Sequence, residues 1–271
     1  MPVKRQNLQT RGGALSYTGR MCGRFRLAKK KEILEEAFGV EELADDWEWS
    51  PHYNVAPTQN VAVVRQDTVR PVRVLSPMRW GLIPFWAKDA TGGFKMINAR
   101  AETAAEMPAF REPLRRRRCL IPADGFYEWK RAGKEKLPYC FTLTGETIFA
   151  FAGVWDEWKS PPPAGAPDTR SGSPVAMEGP VIATCAILTT TPNRLMQDIH
   201  DRMPVILKRD VYDLWLDPGL QNVKQLQPLL QPYPAEAMRR YRVSQRVNQV
   251  KNDDAECAAA IDAADLPLLG I

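Results

Sequence analysis

Histidine is scarce in this 271-residue chain, with only His52 and His200, and its five cysteines are odd in number, widely spaced and without a CxxC pair. That pattern disfavours a structural zinc site and a disulfide framework. No apolar run approaches the roughly 20 residues that a membrane-spanning helix needs. The first twenty residues lack the apolar stretch of a secretory signal, so an intracellular, reducing setting is expected. The same segment lacks acidic residues but carries Lys4, Arg5, Arg11 and Arg20. It therefore holds four of the five net positive charges, leaving 33 basic against 32 acidic residues from Met21 onward. A surface for nucleic acid has to be a local patch, because the body is nearly neutral.

What is present suits a folded globular protein: 44% of the residues are hydrophobic, eight are tryptophan, and the length lies between one large domain and two small ones. Ile33, Leu34, Ala37 and Phe38 recur at helical spacing, which predicts an amphipathic helix over Lys29 to Phe38 ending at Gly39. An acidic run from Glu41 to Glu48 follows, read as solvated surface. Short β-like segments come next at Val61 to Arg65, Arg70 to Leu75, Tyr139 to Leu143, Ile148 to Val154 and Val181 to Thr189. Turn chemistry such as Thr144-Gly145-Glu146 separates them, so an antiparallel-rich α+β fold is expected rather than regular βαβ alternation. Shorter helices are expected in Lys208 to Leu216 and Val223 to Leu230. The Pro, Gly and Ser-rich stretch 159–179 cannot continue a regular element and reads as a loop inserted between two strands of one sheet.

Met21-Cys22-Gly23-Arg24-Phe25 places a cysteine directly after an internal methionine. If the chain began at Met21 and lost that residue, Cys22 would carry a free amine beside its thiol. Such a 1,2-aminothiol captures an aldehyde twice over: the amine forms an imine, and the thiolate closes a five-membered ring on the same carbon. An α-amine titrates near pH 8, so an appreciable fraction is nucleophilic at neutral pH. Read without further context, Cys22 is better taken as a small buried hydrophobe.

Five more blocks follow: Tyr53-Asn54-Val55-Ala56-Pro57, Ile97 to Thr103, Pro122 to Trp129, Ile199-His200-Asp201-Arg202-Met203-Pro204, and Val250-Lys251-Asn252. In this order, with Met-Cys-Gly-Arg-Phe ahead of them, the chain resembles the SOS-response-associated peptidase (SRAP) family, whose members trap abasic sites in single-stranded DNA. The resemblance runs from Met21 to about Ala255. It implies a single SRAP-type domain over 21–257, with a mainly antiparallel, barrel-like sheet core and flanking helices. An extension (1–20) and a tail (258–271) fall outside that domain. It also implies that Cys22, as the mature first residue, forms a thiazolidine with the ring-opened sugar, and that Asn98 positions the adduct through its amide. Glu128 would exchange protons during imine formation and release of the residue before Cys22, and His200 would open the sugar ring.

Each residue also has a plainer reading. Glu128 lies among Phe126, Tyr127 and Trp129, where alternation could aim it at solvent or the aromatic neighbours could desolvate it. His200 alone is a structural histidine, and Asn98 alone a turn or capping residue. For a DNA strand, cations meet phosphates and flat rings meet bases. Arg24 and Arg100 are the first phosphate candidates and Arg202 the next; Asn54 and Pro57 are expected to line the same surface. Phe85 and Trp86 stand where the family places a base-stacking wedge, although both could be core rings. In the run Arg115 to Arg118, Arg118 is expected to be structural.

The expected partner is single-stranded DNA containing abasic sites, with no membrane, no cofactor and no metal; the protein is expected to be a cytoplasmic monomer that joins the nucleoid when acting on DNA. Two other functions remain open. One is an N-terminal-nucleophile amidohydrolase using Cys22, and the other a non-catalytic single-strand binder using Arg24, Arg100 and Trp86.

Overall fold

The computed structural model describes residues 23–44, 47–160 and 179–261. Cys22 and most of the 159–179 loop lie outside the described residues, as do the extension 1–20 and the last ten residues.

In chain order the strands are β1 (Phe25–Leu27), β2 (Glu42–Leu43), β3 (His52–Val55), β4 (Asn60–Gln66), β5 (Arg73–Trp80), β6 (Asn98–Arg100) and β7 (Arg118–Ala123). They continue with β8 (Gly125–Ala132), β9 (Glu135–Leu143), β10 (Phe149–Lys159), β11 (Val181–Thr190), β12 (Met203–Pro204), β13 (Ile206–Leu207) and β14 (Met238–Arg242). The helices are short: α1 (Lys31–Phe38), α2 (Arg111–Arg116), α3 (Tyr212–Leu216) and α4 (Val223–Leu226). This is the α+β, mainly antiparallel architecture that the sequence predicts.

Helix α1 buries Leu34 and Phe38 and ends at Gly39, whose φ of 58° is the left-handed closure for which glycine suits best. The proline-rich loop does join two strands of one sheet, since Lys159 pairs with Val181 and Gly153 with Ile187 along β10 and β11.

The strands form two sheets. The first runs β14-β9-β8-β1-β3, and the second runs β12-β11-β10-β7-β4-β5-β2, with β13 on β10 and β6 on β11. An aromatic core joins them. Phe25 of β1 meets Trp80 of β5 at 5.2 Å and Phe151 of β10 at 5.8 Å, both edge-on, while Phe126 stacks on Phe141 at 5.0 Å and also touches Phe151. Each such pair adds about 0.5–1.5 kcal/mol beyond the area it buries.

The core also fixes which side of each strand faces inward. Because side chains alternate along a strand, Phe126, Glu128 and Lys130 share the inward face of β8, and Tyr127 and Trp129 take the other. On the second sheet Phe151 faces inward, and its partners across β11 and β6 follow it.

Candidate functional site

Glu128 is 3% exposed although it is a carboxylate. Its neighbour Phe126 pairs with Phe25 on β1 and Phe141 on β9, so Glu128 lies one step beyond the aromatic core on the inward face. Of the two orientations that the sequence leaves open for Glu128, the structure takes the desolvated one. The Tyr127 N–H donates to the Arg24 carbonyl at 3.0 Å, so β1 and its N-terminal continuation run alongside this part of β8.

Asn98 is on the second sheet, on the face that carries Phe151. It pairs with Ile187 on β11, and Arg100 pairs with Thr189. Both β11 residues lie on the face of Phe151, so Asn98, half-buried, and Arg100, exposed, point toward the first sheet at its rim.

The segment from Thr191 to Arg202 ties the two sheets together and carries His200. On one side, Asp198 binds Lys130 of β8 at 2.8 Å and Arg240 of β14, which also donates to the Leu195 carbonyl at 2.6 Å. On the other, Arg202 forks onto Glu102 at 2.7 and 2.6 Å and donates to the Thr189 carbonyl at 2.6 Å. His200 stands between these anchors and is half-buried. Its Nδ1 accepts the Arg202 backbone N–H at 3.1 Å and lies 2.9 Å from the Asp201 carboxylate. The first contact suits a ring with bare Nδ1 and the second a ring with Nδ1–H.

Arg202 is only 8% exposed and is committed to Glu102, whose carboxyl is held below its ordinary pKa chiefly by that hydrogen bond. Asn54, 1% exposed, is likewise an internal brace: its amide donates to the Val247, Gln249 and Asn252 carbonyls, and its oxygen accepts from Arg24 at 2.7 Å. Arg24 also donates to the Val247 carbonyl and lies 5.9 Å over the Trp129 ring, on the outer face of β8. Pro57 is half-buried and precedes Thr58, a non-glycine residue held at φ 74° in the turn to β4.

Phe85 and Trp86 are 61% and 55% exposed, so neither ring belongs to the core. Their turn is nevertheless fixed. The Phe85 N–H donates to Asp156 at 3.1 Å, the Ile83 N–H to the Thr184 hydroxyl at 2.9 Å, and the Trp158 indole to the Ala87 carbonyl at 2.7 Å. Asp156 is buried and paired with Arg117 at 3.1 Å. Gly81, just before the turn, passes so close to Gly93 that a Cβ would lie 2.7 Å from the Gly93 carbonyl. Arg118 is structural, as expected: it is buried and gives its N–H groups to the carbonyls of Leu114, Arg115, Trp215 and Asp217.

Cys119, Cys140, Cys185 and Cys257 are buried free thiols, and burial raises the pKa of each, that of Cys140 to about 11. At neutral pH these four stay protonated and make poor nucleophiles. Among the described residues no group of three His, Cys, Asp or Glu side chains could hold a metal ion, and no helix is long and apolar enough to cross a membrane.

Several residues at this site carry no motif signal, namely Lys130, Tyr139, Asp156, Asp198, Arg240 and Arg242. The period-2 alternation through β8, β9 and β14 could have grouped Lys130, Tyr139, Arg240 and Arg242 with Glu128, but only once the pairing of those strands was known.

Comparison with known proteins gives a consistent result. The family model for "SOS response associated peptidase (SRAP)" matches residues 21–250. "Abasic site processing protein YoqW" of Bacillus subtilis is 46% identical over 237 residues, covering 87% of this chain and 98% of the relative. "Abasic site processing protein HMCES" of Pongo abelii is 30% identical, covering 89% of this chain and 77% of the relative. A crystal structure from Bacteroides thetaiotaomicron, 27% identical, superposes with a TM-score of 0.73 over 89% of this chain and all of its own.

Proposed function

Since the chain belongs to the SOS response associated peptidase family, we propose that it processes abasic sites in single-stranded DNA by capturing the ring-opened sugar aldehyde on Cys22. The observation that carries this reading is the buried Glu128 carboxylate on the inward face, opposite the rim that bears Asn98 and beside the segment that bears His200. One peptide unit, about 3.8 Å between Cα atoms, separates Cys22 from Gly23, and Arg24 is already bonded to the strand of Glu128.

The chemistry runs in three steps. His200 gives a proton to the sugar ring oxygen, the C1′–O4′ bond breaks, and the C1′ hydroxyl gives up its proton to water, leaving the aldehyde. The Cys22 amine then adds to the carbonyl carbon and water leaves, with Glu128 moving the protons and Asn98 holding the adduct by hydrogen bonds. Finally the thiolate attacks the imine carbon and the nitrogen takes up a proton, closing the thiazolidine. The adduct removes the free aldehyde that makes an abasic strand prone to break.

Exposed Phe85 and Trp86 support a strand of bases as the substrate, since rings on a fixed turn can stack where a base stack is interrupted. Arg100 supplies a cation for phosphate. Arg24, braced by Asn54, and Arg202, locked to Glu102, support that surface from beneath.

Protein beginning at Met21, mixed with single-stranded DNA containing one abasic site, should give a species that survives denaturing electrophoresis. Cys22→Ala should give none, and Glu128→Gln should form it about 100-fold more slowly, within the usual range for a lost acid–base group. Equal yields from wild type and Cys22→Ala would refute the reading. Hydrolysis of a small amide without a retained adduct would favour an amidohydrolase, and salt-sensitive binding without any adduct would favour a non-catalytic binder.

A further inference from the structure

Glu128 belongs to a row of residues that crosses the first sheet. Tyr139 of β9 pairs with Glu128, and Arg242 of β14 pairs with Tyr139. Residues paired in this way point to the same side, so Glu128, Tyr139 and Arg242 share the inward face. With strands spaced about 4.8 Å apart, the Arg242 backbone is about 10 Å from that of Glu128, close enough for its long side chain to border the same space.

The guanidinium of Arg242 is held against a ring. It lies over the Tyr139 ring at 5.6 Å, and Arg240 lies over the same ring at the same distance. Arg240 is paired with Asp198, which Lys130 also binds, and donates to the Leu195 carbonyl. Arg242 has no carboxylate or carbonyl acceptor among the described residues, and its Nε is buried without a hydrogen-bond partner. An arginine offers five N–H donors in a fixed fork, and stacking on a ring fixes the plane of that fork without using any of them. An oriented fork lacking an acceptor, beside a proposed DNA-processing carboxylate, matches the two-oxygen edge of a phosphate.

We propose that Arg242, stacked on Tyr139, binds a backbone phosphate of the DNA strand near the abasic nucleotide. The proposal rests on the DNA reading above and adds a phosphate site that no motif in the sequence marks. Tyr139 holds the guanidinium, and Asp198, already taken up by Arg240 and Lys130, leaves no acceptor for Arg242.

The test uses a single strand carrying a tetrahydrofuran abasic analogue, which has no aldehyde and so reports binding alone. Arg242→Gln should weaken binding about ten-fold at low salt, as expected for one charge-assisted phosphate contact. It should also make the plot of log affinity against log salt shallower by about 0.7. Arg242→Lys should restore the salt slope but recover only part of the affinity. A scan of single methylphosphonate linkages against the wild-type protein should find one position near the analogue whose neutralisation reproduces the loss, and Arg242→Gln should be insensitive to that same substitution. The scan keeps the test valid if the variant folds poorly. Unchanged affinity and slope in folded Arg242→Gln, or no linkage whose effect depends on Arg242, would overturn the proposal. Wild-type protein that fails to bind the strand sinks both readings, whereas binding without crosslinking of an aldehyde-bearing strand sinks only the chemistry of Cys22.

Discussion

At the residue scale, Asp156 shows how a buried charge can hold an exposed feature. Its carboxylate accepts from the Phe85 N–H and pairs with Arg117, so the turn of Phe85 and Trp86 is anchored on a group that is 2% exposed. Asp156→Ala would leave Arg117 and that N–H without their partner, which should cost about 3–5 kcal/mol, measured by urea unfolding. Burial raises the carboxyl pKa, while Arg117 and the backbone N–H groups of Phe85 and Glu157 pull the other way. A raised pKa means that the folded state holds its proton more firmly than the unfolded chain. The associated stability is full below the ordinary aspartate value of about 3.9 and is lost as pH rises through the folded value. The stability difference between wild type and Asp156→Asn should therefore shift against the wild type as pH is raised from 3.5 to 7. Asp156 was not legible in the sequence, because its role depends on a partner 71 positions away along the chain.

At the element scale, the segment that carries His200 is a clasp between two sheets, and its first-sheet anchor is electrostatic. The Asp198 carboxyl is held far below its ordinary pKa, chiefly by the hydrogen bond from Arg240 and then by that from Lys130. A depressed pKa contributes stability that is present above about pH 4 and is lost as pH falls below it. Because both partners of Asp198 are partly exposed, salt should weaken the clasp as well. Asp198→Asn should lower the crosslinking rate several-fold and, above about pH 4, the melting temperature modestly, because the pairs it loses are partly exposed; high salt should bring the wild-type rate toward that of the variant once DNA is saturating. An unchanged rate in the variant would show that the clasp does not position His200. The elements themselves were largely legible. The predicted strand over Val61 to Arg65 is the centre of β4, and that over Val181 to Thr189 is nearly all of β11. Helix boundaries shortened because Arg209–Val211 and Gln227–Leu229 wind as 3₁₀ turns instead of extending α3 and α4. The hairpin of β8 and β9 was harder to read, since alternation gives two faces but does not say which one meets the core.

At the scale of the whole molecule, the register between strands was the missing information. It brings Arg242 into one row with Glu128 and Tyr139 of the β8–β9 hairpin although Arg242 is far along the chain from both. No local pattern encodes such pairing; it follows from packing Phe25, Phe126 and Phe141 against Trp80 and Phe151. The chemistry still depends on a covalent fact at the start of the chain. An amide nitrogen cannot form an imine, so Cys22 preceded by Met21 has a thiol but lacks the amine that the proposed capture needs. The 271-residue chain and a chain starting at Met21 with that methionine removed should therefore differ completely at first contact with abasic DNA, although both contain Glu128, Asn98 and His200. Intact-mass spectrometry provides the check. The chain beginning at Cys22 should gain the mass of the DNA strand less one water, and the longer chain should gain nothing until the residues before Cys22 are cut away. If Glu128 assists that cut, Glu128→Gln should leave the longer chain uncut while the wild type shortens over the same time. If both shorten alike, the release belongs to another peptidase, and Glu128 keeps only its role in forming the imine.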